Sequence, residues 1–378
     1  MSEDITVFFG TNRQPVMNAM GNQIVDFGSD PGPVGGYAVR FGQASVAVDL
    51  QAGTNKLIPG SLTVAPEILT PVPGAPPQFG SRTIFETIRQ SMAGKAQPTL
   101  VFIHGFSNSF QDAIERAGWV SGFYAAGGFK ANIFVFTWPS RGGVLREIPL
   151  PYADYEHDRG TAAASGPAVG RTLRLLYDFV DSLGRDAWCR QELYLLCHSM
   201  GIYVLRNGLQ AWLKLPDPSD AAAGAPMRSL TYIDRAVRDP IAVRKTFDQI
   251  VLAAADEDDD AFDDPNKLQM LPRLGNAVTV YHTRKDWVLN TLSSKTKFNG
   301  PRLGTNGPDN MSAISDKVTA IDVSDVFDYG DDAEGHQYYR KVQAIRDDIV
   351  AVLAGKRPNE ISNRSALAQG RWALTKKP

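Results

Sequence analysis

The stretch Leu193-Tyr194-Leu195-Leu196-Cys197-His198-Ser199-Met200-Gly201-Ile202-Tyr203-Val204-Leu205 decides how this chain is read. An unbroken apolar run halts at a serine, a glycine follows two residues later, and helix-compatible residues take over. The pattern predicts a strand-turn-helix unit of the nucleophile-elbow kind, in which a sharp turn pushes a serine hydroxyl out of the top of a parallel sheet. Positions flanking such a serine are small because strand and helix crowd together around a strained backbone. Cys197 stands where the first glycine of Gly-x-Ser-x-Gly usually falls. A buried strand that merely ends at a serine would look the same, so the remaining strand ends carry the decision.

Strand patterns recur on both sides of this stretch. Ile5 to Gly10 reads as a strand closed by Thr11-Asn12-Arg13, and Tyr37 to Asp49 as a strand or hairpin. Residues 53–81 carry six prolines and read as a surface loop. A helix follows over Arg82 to Met92. Thr99 to Phe106 is a buried strand ending in His104-Gly105, Ser109 to Ala125 suits a helix, and Ala131 to Thr137 is the next strand. A loop then runs to about Asp158, and Thr161 to Leu183 is one long amphipathic helix. Beyond the elbow, residues 217–226 form a small-residue insertion and 228–239 a short helix. Gln249 to Ala255, Ala277 to Thr283 and Val318 to Val323 are further strands. Residues 295–317 read as a loop, Tyr338 to Leu353 as the final helix, and the polar residues from 355 as a fraying tail.

Strands apolar on both faces and alternating with helices imply an α/β fold with a mostly parallel sheet covered on both sides and an N-terminal strand extension. The expected organisation is a single domain over 1–354, with residues 1–98 leading into a core of 99–354, and a polar tail over 355–378. The 378 residues are 43% hydrophobic and 21% charged, with a formal net charge of −2. That balance gives no electrostatic case for nucleic acid or an anionic membrane, so the expected partner is a small molecule. Glu3 and Asp4 precede only a short apolar run, and no window reaches 18 apolar residues. Neither a signal peptide nor a transmembrane segment is expected. With two cysteines, Cys189 and Cys197, and no disulfide expected, a cytoplasmic setting is the simpler expectation.

Ligands of such sheets gather at the carboxyl ends of the strands, where His104, Ser199, Asp256, Asp286 and His336 fall. A serine hydroxyl needs a base within hydrogen-bond reach and a third group to orient that base. Of the five histidines, His104 occupies an oxyanion-loop position, His198 points away from Ser199, His157 precedes the nucleophile, and His282 lies inside a strand. His336, in a loop beyond the last strand, completes the order serine, acid, histidine. For the acid, Asp286 stands alone after Arg284-Lys285 and is favoured. Asp256 is the alternative, at the head of an acidic run whose residues 257–260 read as a solvated helix start. The backbone N–H groups of Met200 and Phe106 are the expected oxyanion donors, with Ser107 nearby. His104, Ser107, Trp138 and Tyr203 are the expected pocket residues. The acidic run lacks the glycine and spacing of a calcium loop, and no phosphate-loop spacing occurs, so no metal or cofactor is expected.

Several stretches, taken together, resemble a bacterial family of α/β-hydrolase-fold proteins grouped as a domain of unknown function and related to serine esterases and lipases. They are Val7-Phe8-Phe9-Gly10-Thr11-Asn12-Arg13, Phe102-Ile103-His104-Gly105-Phe106-Ser107, Phe136-Thr137-Trp138-Pro139-Ser140 and Leu195-Leu196-Cys197-His198-Ser199-Met200-Gly201. Leu252-Ala253-Ala254-Ala255-Asp256, Tyr281-His282-Thr283-Arg284-Lys285-Asp286, Arg302-Leu303-Gly304 and Gly335-His336 complete the set. The resemblance covers about residues 5–353. It implies the α/β-hydrolase fold and serine hydrolase chemistry, with Ser199 as nucleophile, Asp286 as acid and His336 as base, and says little about the substrate. The expected reaction is carboxylic ester hydrolysis through an acyl-enzyme, with amide, lactone or acyl-transfer chemistry on the same residues, or a non-catalytic binding role, as alternatives. The departure at Cys197 is mild, since cysteine is small.

Overall fold

The computed structural model describes residues 2–32, 39–66, 79–142, 152–182, 191–214, 245–293, 300–332 and 334–376. Its N-terminal part contains β1 (Glu3–Thr11), β2 (Arg13–Met17), β3 (Ile24–Pro31), β4 (Arg40–Asp49), β5 (Thr54–Leu57), β6 (Thr63–Val64) and α1 (Gly80–Lys95). Then come β7 (Thr99–Ile103), α2 (Phe110–Ala126), β8 (Asn132–Thr137), α3 (Tyr152–Ala164), α4 (Gly166–Ser182), β9 (Leu193–His198) and α5 (Met200–Lys214). The chain closes with β10 (Phe247–Ala253), β11 (Gly275–His282), α6 (Leu303–Asn306), β12 (Val318–Asp322), α7 (Gln343–Leu353), β13 (Arg364–Ala368) and β14 (Arg371–Leu374).

One sheet runs β13-β14-β12-β11-β10-β9-β7-β8-β1-β4-β5, with β6 also paired to β4. From β14 to β1 every neighbouring pair is parallel. The antiparallel pairs, β1 with β4, β4 with β5 and β6, and β13 with β14, lie at its margins. Every residue of β7, β8 and β9 is buried, as strands covered on both faces require. Alternate side chains divide between two cores. Leu193, Leu195 and Cys197 pack with residues of α1, α3, α4 and α5, while Tyr194 and Leu196 pack with residues of α2 and α7.

Several sequence expectations need correction. The span 53–81, expected as a loop, contains β5 and β6. Their alternation is weak because they lie at the sheet margin, half exposed. The backbone of β6 comes so close that a Cβ on Gly42 would sit 2.2 Å from the Thr63 carbonyl oxygen. Thr11-Asn12-Arg13 does not simply close β1, since β2 and β3 form a separate, mostly exposed hairpin. The single helix expected from Thr161 is two helices, α3 beginning at Tyr152 and α4 at Gly166. The break lets α4 press on α5 through glycine, where a Cβ on Gly170 would lie 2.6 Å from the Gly208 oxygen.

The acidic run is turns rather than a solvated helix start. Asp256 and Glu257 are buried, Glu257 pairs with Arg206 at 3.1 Å, and Asp258 pairs with Arg302 and Lys267. Buried carboxylates demand such partners. Within the loop expected over 295–317, Leu303–Asn306 is helical. The final helix starts as a 3₁₀ turn at Tyr338–Arg340 and becomes α only at Gln343. The tail does not fray, because β13 and β14 extend the sheet from its β12 edge. Cys197 is a free, buried thiol. Residues 217–226, the helix expected at 228–239, Cys189, and residues 67–78 of the proline-rich span lie outside the described residues. Among the described residues no helix is long and apolar enough to cross a membrane.

The C-terminal hairpin is locked by a buried pair. Arg364 Nε and Nη2 donate to the two oxygens of Asp348 at 2.8 and 2.6 Å, and the Tyr281 hydroxyl donates to the same carboxylate at 2.6 Å. Both charged side chains are 1% exposed. Removing one partner leaves a buried charge, so Arg364→Met is expected to destabilise the fold by about 3–5 kcal/mol, read as a fall in the urea unfolding midpoint.

Candidate active site

At the end of β9 the backbone turns through Ser199 with φ at 54°, the left-handed region that a side chain enters only at a cost of about 1–3 kcal/mol. The turn is held from both sides. Ser199 N–H donates to the Ala253 oxygen at 3.0 Å, and the Ser199 oxygen accepts from Ile202 N–H at 3.0 Å and Asp256 N–H at 3.3 Å. Gly201 must lack a side chain, since its Cβ would lie 2.6 Å from both the Ile103 and His104 oxygens. Cys197 fits in place of a glycine because it points into the core, where burial pushes its thiol well above the ordinary range and leaves it inert.

Ser199 Oγ lies 2.9 Å from His336 Nε2, and His336 Nδ1 lies 2.7 Å from Asp286 Oδ2. All three are buried. The second Asp286 oxygen accepts Leu289 N–H at 2.9 Å, so the carboxylate is fixed at both ends. Gly335 brings His336 into line with φ at 61°, and a Cβ there would strike the Lys285 oxygen at 2.4 Å. Burial pushes the His336 imidazolium down, but the charge and hydrogen bond of Asp286, with Glu334 and Asp332 behind it, outweigh this and hold its pKa above the usual value. Burial likewise pushes Asp286 up, against the opposing pull of His336.

Asp256, the alternative acid, is committed elsewhere. It accepts from Tyr155 Oη at 2.7 Å and from Ser293 Oγ. Two of the other histidines are also held elsewhere. His104 is fully buried, donates from Nδ1 to the Gly105 oxygen at 2.7 Å, and accepts Trp138 N–H at Nε2 at 3.2 Å, which fixes this tautomer. His198 donates from Nε2 to the His336 carbonyl at 2.9 Å. Burial pushes the pKa of both rings well down, so they are neutral.

The expected pocket residues separate in two. Trp138 is fully buried, stacked on His104 with ring centroids 5.3 Å apart, and donates from Nε1 to the His104 oxygen at 2.9 Å. With no exposed surface, Trp138 and His104 back the loop instead of lining a pocket. Tyr203 is partly exposed beneath the Arg159 guanidinium, 3.7 Å from its ring centroid. Ser107 has φ at 58°, and its N–H is taken by Asp158 at 3.2 Å. The N–H groups of Phe106 and Met200 have no acceptor among the described residues. Gly105 presses the Phe106 loop onto Ser199, since a Cβ there would lie 2.9 Å from Ser199 Cβ.

Sequence reasoning missed the supports of this site. Asp158 lies within α3 and accepts from Ser140 Oγ at 2.6 Å and Arg141 N–H at 3.1 Å as well as from Ser107. Tyr338 donates to the Tyr281 oxygen at 2.8 Å and accepts Ala254 N–H at 2.7 Å, tying the residue two beyond His336 to the ends of β10 and β11. A polar residue beside a strand end was the only signal, and many solvent-exposed residues share it. The whole arrangement, a hydroxyl in line with an imidazole and a carboxylate beside two N–H donors without an acceptor among the described residues, can generate and stabilise an alkoxide-derived adduct.

A search of curated proteins finds no match. Among solved structures, an iodinated complex of acetyl xylan esterase is similar to 68% of this chain and 97% of its own, at 11% identity and a TM-score of 0.30, too distant a likeness to carry an argument. The family model described as "Alpha/beta hydrolase of unknown function (DUF900)" matches residues 82–357, nearly three quarters of the chain. The chain therefore belongs to that family of alpha/beta hydrolases.

Proposed function

We propose that this hydrolase cleaves carboxylic esters of small molecules through an acyl-enzyme on Ser199, with His336 as general base, Asp286 as its orienting acid and the N–H groups of Phe106 and Met200 as oxyanion donors. The supporting observation is the line Ser199 Oγ, His336 Nε2, His336 Nδ1, Asp286 Oδ2, with links of 2.9 and 2.7 Å, projected from a left-handed turn. We read the catalytic unit as one domain, into whose sheet the C-terminal hairpin is built.

As Ser199 Oγ attacks the ester carbonyl carbon, its proton passes to His336 Nε2 and the carbonyl oxygen becomes an oxyanion. Each donor aimed at that charge is worth about 3 kcal/mol. Asp286 compensates the imidazolium that forms and keeps Nδ1–H directed at itself. When the adduct collapses, His336 returns the proton to the departing alkoxide. A water molecule then repeats the cycle, giving up its proton to His336 and releasing the acid.

A fluorophosphonate probe is expected to label Ser199, and the enzyme to turn over short p-nitrophenyl esters. Ser199→Ala should abolish labelling and lower kcat by roughly 10⁴- to 10⁶-fold. Labelling that persists in that variant would sink the assignment.

The pH dependence follows from His336, which must be neutral to accept the proton. Activity is therefore lost as pH falls through its folded-state pKa, which Asp286 holds above the usual value. In Asp286→Asn that support disappears while burial remains. The acidic limb of kcat/KM should move to lower pH, alongside a loss of about 10⁴-fold in kcat. By contrast, Asp256→Asn should leave the limb in place.

A further inference from the structure

The motif Gly10-Thr11-Asn12-Arg13 has no part in the chemistry above, yet it places a guanidinium in the interior. Arg13 is 1% exposed and touches no carboxylate within ion-pair distance among the described residues. Its donors fan out instead to four residues, in β3, at the end of β8 and in the loops that follow β7 and β8. Nε donates to Thr137 Oγ1 at 2.9 Å, Nη1 to the Gly28 and Ser140 oxygens at 3.1 Å each, and Nη2 to the Asn108 oxygen at 2.7 Å.

Two of these bonds continue. Asn108, held by Nη2, donates from Nδ2 to the Gly105 oxygen at 3.0 Å and the Phe106 oxygen at 2.8 Å. Thr137, held by Nε, lies 3.3 Å from His104 Nε2, and His104 Nδ1 donates to the same Gly105 oxygen at 2.7 Å. Both paths therefore end on one carbonyl. The Gly105 C=O shares a planar trans peptide unit with the Phe106 N–H, and the two point in opposite directions. Fixing the oxygen fixes the hydrogen. Asp158 meanwhile takes the neighbouring Ser107 N–H and accepts the Ser140 hydroxyl, itself bonded to Asn108 N–H at 3.1 Å, which removes the competing donor.

We propose that Arg13 is a positioning residue for the oxyanion donor: through Asn108, and through Thr137 and His104, it holds the Gly105 carbonyl and so aims the Phe106 N–H at the reacting carbonyl oxygen. The proposal rests on the hydrolase reading for its catalytic consequence but not for its structural content. Arginine suits the task because its planar fork serves several acceptors at once, which a lysine ammonium cannot reproduce from the same position. Burial pushes the guanidinium pKa down, and Asp158 is the largest charge opposing that shift.

The test is Arg13→Lys in the full chain, with circular dichroism to establish folding, steady-state hydrolysis of p-nitrophenyl acetate, and hydrogen exchange over residues 105–109. A displaced donor should lower kcat about 100-fold while KM changes less than about threefold, since substrate binds before the oxyanion exists. Amides of 105–109 should exchange roughly tenfold faster, with the middle of α2 unchanged. A folded variant with wild-type kcat, or with unaltered exchange in this loop, overturns the proposal. If Arg13→Lys does not fold, Asn108→Leu cuts the first path with Arg13 intact and is judged by the same two measurements. Should wild-type Ser199 resist the fluorophosphonate, the hydrolase reading fails, and the exchange measurement still decides the role of Arg13.

Discussion

The geometry of this protein depends on a serine being held in a left-handed turn between a buried strand and a helix. Such a turn is unfavourable by itself, and it persists only because its surroundings leave no alternative. Backbone bonds from Ala253, Ile202 and Asp256 grip Ser199, while glycines at 105 and 201 let the β7 end approach without a clash. Ser107 and Ala254 share the left-handed conformation, so strain concentrates at the ends of β7, β9 and β10. Three adjacent parallel strands thus stop at one level and turn sharply, at the carboxyl ends where sheets of this kind place their ligands.

The histidine arrives from a different part of the chain and needs its own support. His336 sits in a loop, a poor place for a group that must be correct to a few tenths of an ångström. The loop compensates by tying both its flanks and its own backbone to the sheet. Tyr338 bridges the ends of β10 and β11, Asp332 accepts Gln337 N–H at 2.5 Å, and Glu334 accepts Trp287 N–H at 2.9 Å beside Asp286. His198 then reaches from the position before Ser199 to the carbonyl of His336 itself. Its ring stacks on Tyr339 at 4.5 Å between centroids, so the neighbour of Ser199 also braces His336.

What could be read from the sequence follows from how far apart the deciding partners lie. β7, β9 and β10 were legible because strands buried on both faces are continuous apolar runs. β2, β3, β13 and β14 were not, because strands made largely of exposed and half-buried residues carry little such signal. Ser199 and His336 stood out through local turn chemistry and chain order. The choice between Asp286 and Asp256 could be favoured but not closed, since both follow buried strands. What separates them is Tyr155, a hundred residues upstream, whose hydroxyl occupies Asp256. Arg13 was invisible for the same reason. Its partners Asn108 and Ser140 lie 95 and 127 positions away, and nothing in Asn12-Arg13 by itself says that the arginine turns inward.

Two buried arginines, Arg13 and Arg364, show why that inward turn matters. Arg364 meets Asp348 in a bidentate pair, an arrangement that spends the fork on one partner and fastens one hairpin to one helix. Arg13 gives the same donors to carbonyl and hydroxyl oxygens on four residues, in β3, at the end of β8 and in the loops after β7 and β8, with Asp158 near enough to offset its charge. A carboxylate in contact would draw the guanidinium to a single side and release the others. Spreading one cation over several neutral acceptors repays its desolvation less fully than a tight pair does, and it yields a cross-brace that a tight pair cannot provide. An oxyanion donor gains most from such bracing. Its contribution depends on the N–H being already aimed when charge appears, so that no reorganisation is needed during the reaction.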